Sequence, residues 1–283
     1  MTNDYTPFVK WAGGKRQLLS TIDKYLPPFG NNYTYYEPFI GGGALLFHLQ
    51  PKKAVINDSN AEIANCYEVI RDYPDELIAD LQEHNRKNNE EYYYEVRDSD
   101  RKPEYKTSTK IQRAARILYL NKTCYNGLFR VNSQGQFNVP FGRYKKPAIV
   151  NEAVIRAASS YLKQNELTIL HGDFKQAVNE AKEGDFVYFD PPYDVLSSTS
   201  SFTSYDVNGF DRAEQERLFN VFQQLDKRRC YVMLSNSSTD FIRKLYKNRK
   251  YKVLTVSANR AINSVSGGRG KIDEVLVINY EPT

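Results

Sequence analysis

The sequence offers little that would point to a membrane, an export route or a metal. No run of 18 apolar residues interrupts its 283 positions, so no membrane-spanning helix is expected. Three cysteines, Cys66, Cys124 and Cys230, lie far apart without a CxxC pair and read as reduced packing residues of a cytoplasmic protein. His48, His84 and His171 are equally scattered, and no metal site is expected. Residues Met1 to Asp4 are polar and lead straight into Phe8-Val9-Lys10-Trp11, so no signal peptide is expected ahead of the fold. Internal repeats and low-complexity tracts are also missing.

What is present is an ordinary soluble composition, 41% hydrophobic and 26% charged, enough to bury a core. The net charge of +5 says little, but its distribution says more. Between Arg101 and Lys146 there are 11 Lys/Arg and a single acid, Glu104; between Arg243 and Lys271 there are nine Lys/Arg and no acid. Two basic surfaces on an otherwise acidic body suit a polyanion, although solvated faces would look the same.

Strands alternate with helices along most of the chain. Tyr33–Glu37, Ala54–Asn57, Leu167–Leu170, Asp185–Phe189, Tyr231–Leu234, Tyr251–Val256 and Val275–Tyr280 read as strands. Helices are expected at Gly13–Leu26, Gly41–Leu49, Ala61–Arg71, Phe174–Ala181, Arg212–Leu225 and Asp240–Tyr246. This rhythm implies an α/β fold with a mostly parallel sheet covered on both faces. It breaks over residues 61–148, where helical stretches (Pro74–Arg86, Lys110–Leu120) precede a Gly/Asn/aromatic passage from Tyr125 to Lys146. A lobe inserted at 61–148 between two parts of one catalytic domain, 1–60 and 149–283, accounts for this most simply.

Ligands of open α/β sheets bind beyond the carboxyl ends of the strands. There the sequence places a glycine turn, Gly41-Gly42-Gly43, after Glu37-Pro38-Phe39-Ile40. The dinucleotide pattern GxGxxG fails at Leu46, and a phosphate loop ending at Gly14-Lys15 fails at Val9 and Arg16. Asp58, just after the second strand, suits ribose hydroxyls, or equally a helix cap. A ligand with a ribose but no phosphate cradle fits this end of the sheet. Further on, a buried strand ends in Asp190-Pro191-Pro192-Tyr193. The two prolines stiffen the turn and donate no hydrogen bonds. They hold the Asp190 carboxylate and nearby carbonyls as fixed acceptors beside the Tyr193 ring, an arrangement suited to a flat substrate bearing an NH₂.

Lys10-Trp11-Ala12-Gly13-Gly14-Lys15, Glu37-Pro38-Phe39-Ile40-Gly41-Gly42-Gly43, Tyr125-Asn126-Gly127-Leu128-Phe129-Arg130, Phe137-Asn138-Val139-Pro140-Phe141-Gly142-Arg143-Tyr144-Lys145 and Asp190-Pro191-Pro192-Tyr193 occur in this order. In this the chain resembles the Dam-type DNA adenine-N6 methyltransferases of the D-P-P-Y amino-methyltransferase family, particularly the modification methylases among them. The resemblance implies a Rossmann-like, S-adenosylmethionine-dependent methyltransferase sheet with an inserted, largely helical DNA target-recognition lobe. It implies that Trp11, Lys15, Glu37, Phe39, Gly41, Gly43, Asp58, Asp173, Phe174 and Asp190 form the S-adenosylmethionine site. Asp58 would take the ribose hydroxyls, and Asp173 the amine of the cofactor's adenine. Asp190, Pro191, Pro192 and Tyr193 would be the catalytic group. The implied partners are double-stranded DNA, read as GATC with the target adenine flipped out, and a companion restriction endonuclease acting on the same site.

By the same resemblance Lys10, Tyr125, Asn126, Leu128, Arg130, Pro140 and Arg143 carry DNA recognition. Arg130 suits a bidentate contact to guanine, and Leu128 and Pro140 suit a thymine methyl. Tyr125 and Phe129 could instead be lobe core, and Arg130 a phosphate contact. Arg260, Arg269 and Lys271, around Ser264–Gly268, read as a second DNA-facing loop or as solubilising charge. Cytosine-C5 chemistry lacks its Pro-Cys nucleophile, since the three cysteines follow Asn65, Thr123 and Arg229. Cytosine-N4, RNA or protein-glutamine methylation, and a non-catalytic DNA-binding scaffold, are the alternatives.

Overall fold

The computed structural model describes residues 5–11, 15–30, 32–194, 209–247, 250–259 and 271–282. In chain order its elements are α1 (Leu19–Ile22), β1 (Tyr35–Glu37), α2 (Ala44–Leu49), β2 (Lys53–Asp58), α3 (Ala61–Asp72), α4 (Pro74–Lys87), α5 (Glu90–Asp98), α6 (Lys110–Thr123) and α7 (Glu152–Gln164). They continue with β3 (Glu166–His171), α8 (Phe174–Ala177), β4 (Phe186–Phe189), α9 (Arg212–Lys227), β5 (Tyr231–Ser237), α10 (Asp240–Leu245), β6 (Lys252–Asn259) and β7 (Lys271–Ile278).

These strands form one seven-stranded sheet in the order β3-β2-β1-β4-β5-β7-β6. β3 through β5 run parallel, whereas β7 is antiparallel to both its neighbours. The mostly parallel expectation holds, but the sequence did not show that the last strand slots between two earlier ones. Between β1 and β4 the strand order reverses, which opens a crevice at their carboxyl ends.

Side chains alternate across a strand, and that two-residue period builds two cores. Tyr35, Ile56, Phe186, Tyr188, Met233, Leu276 and Ile278 face one way and merge with Cys66, Leu81, Ala114 and Leu118 from α3, α4 and α6. Tyr36, Val187, Phe189, Val232, Leu234, Val275 and Val277 face the other and pack on Leu218 and Phe222 of α9 and Ile242 of α10. β4 is buried at all four positions because both of its faces are covered.

The expected helix Gly13–Leu26 is broken. Four-residue α1 lies between 3-10 turns at Lys15–Gln17 and Asp23–Tyr25, and Gly13 and Gly14 lie outside the described residues. No side chain caps Leu18 or Ile22, so the orphaned amides close in tighter 3-10 turns. The glycine turn precedes α2, which begins only at Ala44, because Gly43 is left-handed at φ 67°. The helix expected over Phe174–Ala181 stops at Ala177. α5 and α7 have no counterpart among the expected helices.

After α6, the passage from Cys124 to Phe141 folds back on itself. Single bridges join Cys124 to Phe141 and Val131 to Phe137, around a turn closed by Gly135 donating to the Asn132 carbonyl at 2.9 Å. All three cysteines are buried thiols.

Candidate active site

Glu37 ends β1 and Asp190 follows β4, so the crevice at the strand-order reversal is flanked by two carboxyl groups. Lys15, 4% exposed, reaches over from the first 3-10 turn and pairs with Asp190 Oδ1 at 2.9 Å. Its ammonium lies 4.6 Å from the centre of the Tyr193 ring and 3.9 Å from Glu274 Oε2. Tyr193 in turn donates its hydroxyl to Glu274 Oε2 at 2.6 Å. Burial pushes the Asp190 carboxyl up to about 6; Lys15 opposes this and the Glu274 charge adds to it. Burial likewise raises Glu37 to about 8, against a hydrogen bond donated by the Tyr35 hydroxyl at 2.8 Å and with Asp190 contributing.

The corner is held from behind by a buried polar network. Gln215 of α9 donates Nε2 to the Pro192 carbonyl at 2.9 Å, and Asn236 Nδ2 donates to Gln215 Oε1 at 2.9 Å. Asn236 Oδ1 accepts from the Asp194 amide at 3.2 Å, and Ser237 Oγ donates to the Asp194 carbonyl at 2.7 Å. Amides fixed at both ends specify one backbone path for residues 190–194 more sharply than apolar packing would. The sequence carried no sign of Gln215 or Asn236, since nothing local marks a glutamine on a helix as a backbone clamp.

At the neighbouring strand ends the glycine turn closes on Asp58, whose Oδ2 accepts from the Gly41 amide at 3.0 Å while Oδ1 accepts from Asn60 at 2.9 Å. Glycine is demanded at Gly41 and Gly43 by the protein itself. Added Cβ atoms would lie 2.5 Å from the Trp11 indole nitrogen and 2.4 Å from the Tyr67 hydroxyl. Asp58 sits in register with His171 at the end of β3, which places Asp173 two residues beyond. Asp173 caps α8 through the Lys175 amide and accepts from Arg217 at 2.6 and 3.1 Å, which holds its carboxyl below the usual range. The Arg217 guanidinium lies 4.1 Å over the Phe174 ring, and Phe39 is 5.3 Å from the same ring. Arg217, too, carries no local mark in the sequence, since its partner lies 44 positions away. Two carboxylates at adjacent strand ends, an aromatic pair and a tight glycine turn form a donor set that fits a nucleoside-containing cofactor.

Of the expected recognition residues, Lys10 is tied to the end of α6 and the start of the passage that follows it. Lys10 exchanges two backbone bonds with the Asn121 side chain, each 2.7 Å, and Asn121 also donates to the Gly127 carbonyl at 3.1 Å. Trp11 stacks on Phe129 at 5.7 Å, and the Lys10 ammonium lies 4.7 Å from the Tyr144 ring. Phe129 is thus core, whereas Tyr125 stands 49% exposed with its amide bonded to the Pro140 carbonyl at 2.8 Å. Asn126 beside it is exposed, at a left-handed φ of 55°. Leu128 is half-buried and Pro140 exposed. Arg130 is held by Asn138, through Nε to Oδ1 at 2.7 Å and NH2 to the carbonyl at 3.2 Å. Exposed Arg143 pairs with Glu90 at 3.2 Å.

Much of the basic run from 101 to 146 is neutralised by acids outside or at the edge of that window. Arg101 pairs with Asp98, Lys110 with Glu68, Arg113 with Glu62 and Arg116 with Asp100. The second loop expected at Arg260, Ser264–Gly268 and Arg269 lies outside the described residues. No group of three or more His, Cys, Asp or Glu able to hold a metal occurs among the described residues, and no described helix is long and apolar enough to cross a membrane.

Against known proteins, residues 11–262 match the model of the D12 class N6 adenine-specific DNA methyltransferases. The chain is 51% identical over 274 residues to the Type II methyltransferase M1.LlaDCHI of Lactococcus lactis subsp. cremoris, covering 97% of this chain and 95% of that protein. It is 44% identical to the Type II methyltransferase M.MjaIII of Methanocaldococcus jannaschii, over 97% of this chain and 99% of the other. Its identity to the DNA adenine methylase of Escherichia coli K12 is 34%, over 97% and 95% respectively.

Proposed function

Because this chain belongs to the D12 class of N6 adenine-specific DNA methyltransferases, we propose that it methylates adenine within GATC in duplex DNA, using S-adenosylmethionine on a base flipped into the crevice between β1 and β4. The observation that carries this reading is the rigid Asp190–Tyr193 corner at the strand-order reversal, with Lys15 on its carboxylate. A base inside a duplex cannot present its amine to so recessed a carboxylate, and extrusion is the general solution.

Asp58 would hold the cofactor's ribose hydroxyls and Asp173 its adenine amine. Phe39 and Phe174 would line the ring, and Trp11, Lys15, Glu37 and the Gly41–Gly43 turn the remaining walls. When bound, the cofactor supplies an electrophilic methyl group on a sulfonium sulfur. Asp190 and the Pro191 carbonyl accept hydrogen bonds from the adenine N6 amine, concentrate its electron density on nitrogen and aim it. Tyr193 stacks on the purine, and the Gln215–Asn236 clamp on Pro192 keeps these acceptors from relaxing. The gain comes from orientation and fixed electrostatics, with no covalent enzyme intermediate.

The inserted stretch 61–148 would grip the duplex, with Tyr125 and Asn126 filling the gap left by the flipped base. Leu128 and Pro140 would meet the thymine methyl, and Lys10, Arg130 and Arg143 the remaining polar groups. The Asn138 contacts support direct readout by Arg130, because they hold its guanidinium in one orientation. The Type II names of two relatives support a modification role in the cytoplasm beside an endonuclease of the same specificity.

Expression in a methylation-deficient host, with modified adenines mapped across the genome, tests base, atom and sequence together. Methyl marks confined to GATC are expected; an unmarked genome, or marks at another sequence, would overturn the reading. Asp190→Ala is expected to keep duplex binding and lose transfer.

A further inference from the structure

Glu274 lies on β7, in the antiparallel part of the sheet, far along the chain from every motif of the proposed site. Yet its carboxylate accepts from the Tyr193 hydroxyl at 2.6 Å and stands 3.9 Å from the Lys15 ammonium, which itself is 2.9 Å from Asp190. One lysine therefore sits between two carboxylates, over the ring whose hydroxyl Glu274 holds. Lys15 is 4% exposed and Glu274 15%, so neither charge is screened as a surface group would be.

We propose that Glu274 is a positioning residue for methyl transfer, which fixes the Tyr193 ring and serves as the second seat for Lys15 when Asp190 turns to the substrate amine. The inference rests on the proposed role of Asp190. An Asp190 carboxylate fully engaged by Lys15 is a poor acceptor for an incoming NH₂. Loosening that pair in a buried site takes compensating negative charge away from the ammonium, which is costly unless a second anion stands close. Glu274 lowers that cost, because its carboxylate already stands 3.9 Å from the ammonium. The hydroxyl bond to Tyr193 meanwhile prevents the ring from following the lysine.

Among the described residues, the titratable groups facing Asp190 are Lys15, Glu37, Glu274, Tyr188 and Tyr193. Of these, the Glu274 charge pushes the Asp190 carboxyl upward. Glu274→Gln keeps an acceptor for the Tyr193 hydroxyl and removes the charge, whereas Tyr193→Phe removes the hydrogen bond and keeps the charge. Two readouts separate the cases: single-turnover transfer to duplex DNA from pH 5 to 8, and the Asp190 carboxyl titration by NMR in the full-length free protein. Glu274→Gln is expected to bind donor and duplex within about twofold of wild type and to slow transfer by at least tenfold. It is also expected to move both the Asp190 midpoint and the acid limb of the rate profile to lower pH. Tyr193→Phe is expected to leave the Asp190 midpoint where it is.

A Glu274→Gln protein with the wild-type rate and midpoint would overturn the proposal, and so would one whose slower transfer is matched by an equal weakening of donor binding. Should Glu274→Gln fail to fold, Glu274→Asp, which keeps the charge but shortens the reach, is expected to keep the wild-type midpoint and transfer slowly; a wild-type rate would refute the positioning role. Absence of transfer by wild type would overturn the adenine reading instead, with the titration still reporting on the three-charge arrangement.

Discussion

Asp190 is asked to be partly buried, its side chain 21% exposed, and still ionised, and its carboxyl near 6 is the compromise between desolvation and Lys15. If the ionised form is what accepts the amine, transfer should fall as pH drops through about 6 and level off above it, a limb measurable in single-turnover rates. Glu37 sits on the other side of neutrality, raised from 4.5 to about 8. Between those values the folded protein keeps a proton that the unfolded chain has lost, so this group's contribution to stability is full below 4.5 and disappears as pH rises through 8. Glu37→Gln removes that dependence while still accepting from Tyr35. Relative to wild type it should gain stability on going from pH 5 to 8, by on the order of 1.4 kcal/mol for every tenfold fall in proton concentration, read from urea midpoints. The sequence made Asp190 conspicuous through its two prolines. Nothing in it marked Glu274, an acid among Val275, Leu276 and Val277 whose partner Tyr193 is 81 positions away.

Helices and strands were legible wherever one period dominated. β4 and β5 are short apolar runs bounded by turns, and α9 has Asp211 as its cap, accepting from the Glu214 amide at 3.0 Å. α5 was hidden because Glu90-Glu91-Tyr92-Tyr93-Tyr94 carries tyrosines favoured in strands. Its stability comes from tertiary contacts, with Tyr93 wholly buried and donating to the Val139 carbonyl at 2.8 Å. α7 does carry readable signals, an Asn151 cap and buried Ile155, Ala158 and Leu162 on one face, but it holds neither a motif nor a charge run to draw attention to them.

A charge count does not separate surface cations from structural ones. Arg116, 5% exposed, donates to the Val96 and Arg97 carbonyls at 2.9 and 2.7 Å and pairs with Asp100 at 2.7 Å, tying α6 to the end of α5. Arg116→Ala should therefore destabilise the fold by about 3–5 kcal/mol in chemical denaturation, since it removes the cation paired with Asp100 and one donor from each of two carbonyls, and leaves the Phe137 amide as the remaining donor to Asp100 Oδ2 at 2.9 Å. On α4, His84 stacks on Tyr119 of α6 at 4.8 Å and meets the Tyr92 hydroxyl of α5 at 2.9 Å; burial lowers it from 6.5 to about 4. It stays neutral in the fold while the unfolded chain takes up a proton, so stability should drop as pH falls from 6.5 towards 4. Replacing His84 by Gln should flatten that drop, as thermal melts across this range would show.

At the scale of the molecule, part of the positive charge of the run from 101 to 146 is engaged by acids and is not available to a polyanion. With Arg101, Lys110, Arg113, Arg116 and Arg143 engaged by acids, exposed Lys102, Lys106, Lys145 and Lys146 and the group around Lys10 are among the described basic residues left to meet a polyanion. Replacing Lys145 and Lys146 by Ala should lower the slope of log affinity against log salt by about 0.9 for each phosphate that is no longer neutralised, in titrations of duplex binding at several ionic strengths. Arg113→Ala should leave that slope unchanged. Sheet class and the crevice were readable from the alternation of elements, because that pattern is local. The threading of β7 was not, because pairing is a long-range choice that no window of sequence contains.

That threading also orders the molecule in time. β7 is synthesised after both strands it separates, so until it arrives β5 shows an open hydrogen-bonding edge and β6 has no described neighbour in the sheet. A ribosome that stalls or releases the chain before residue 271 leaves a nearly complete domain with a sticky flank, a natural client for chaperones or a seed for aggregation.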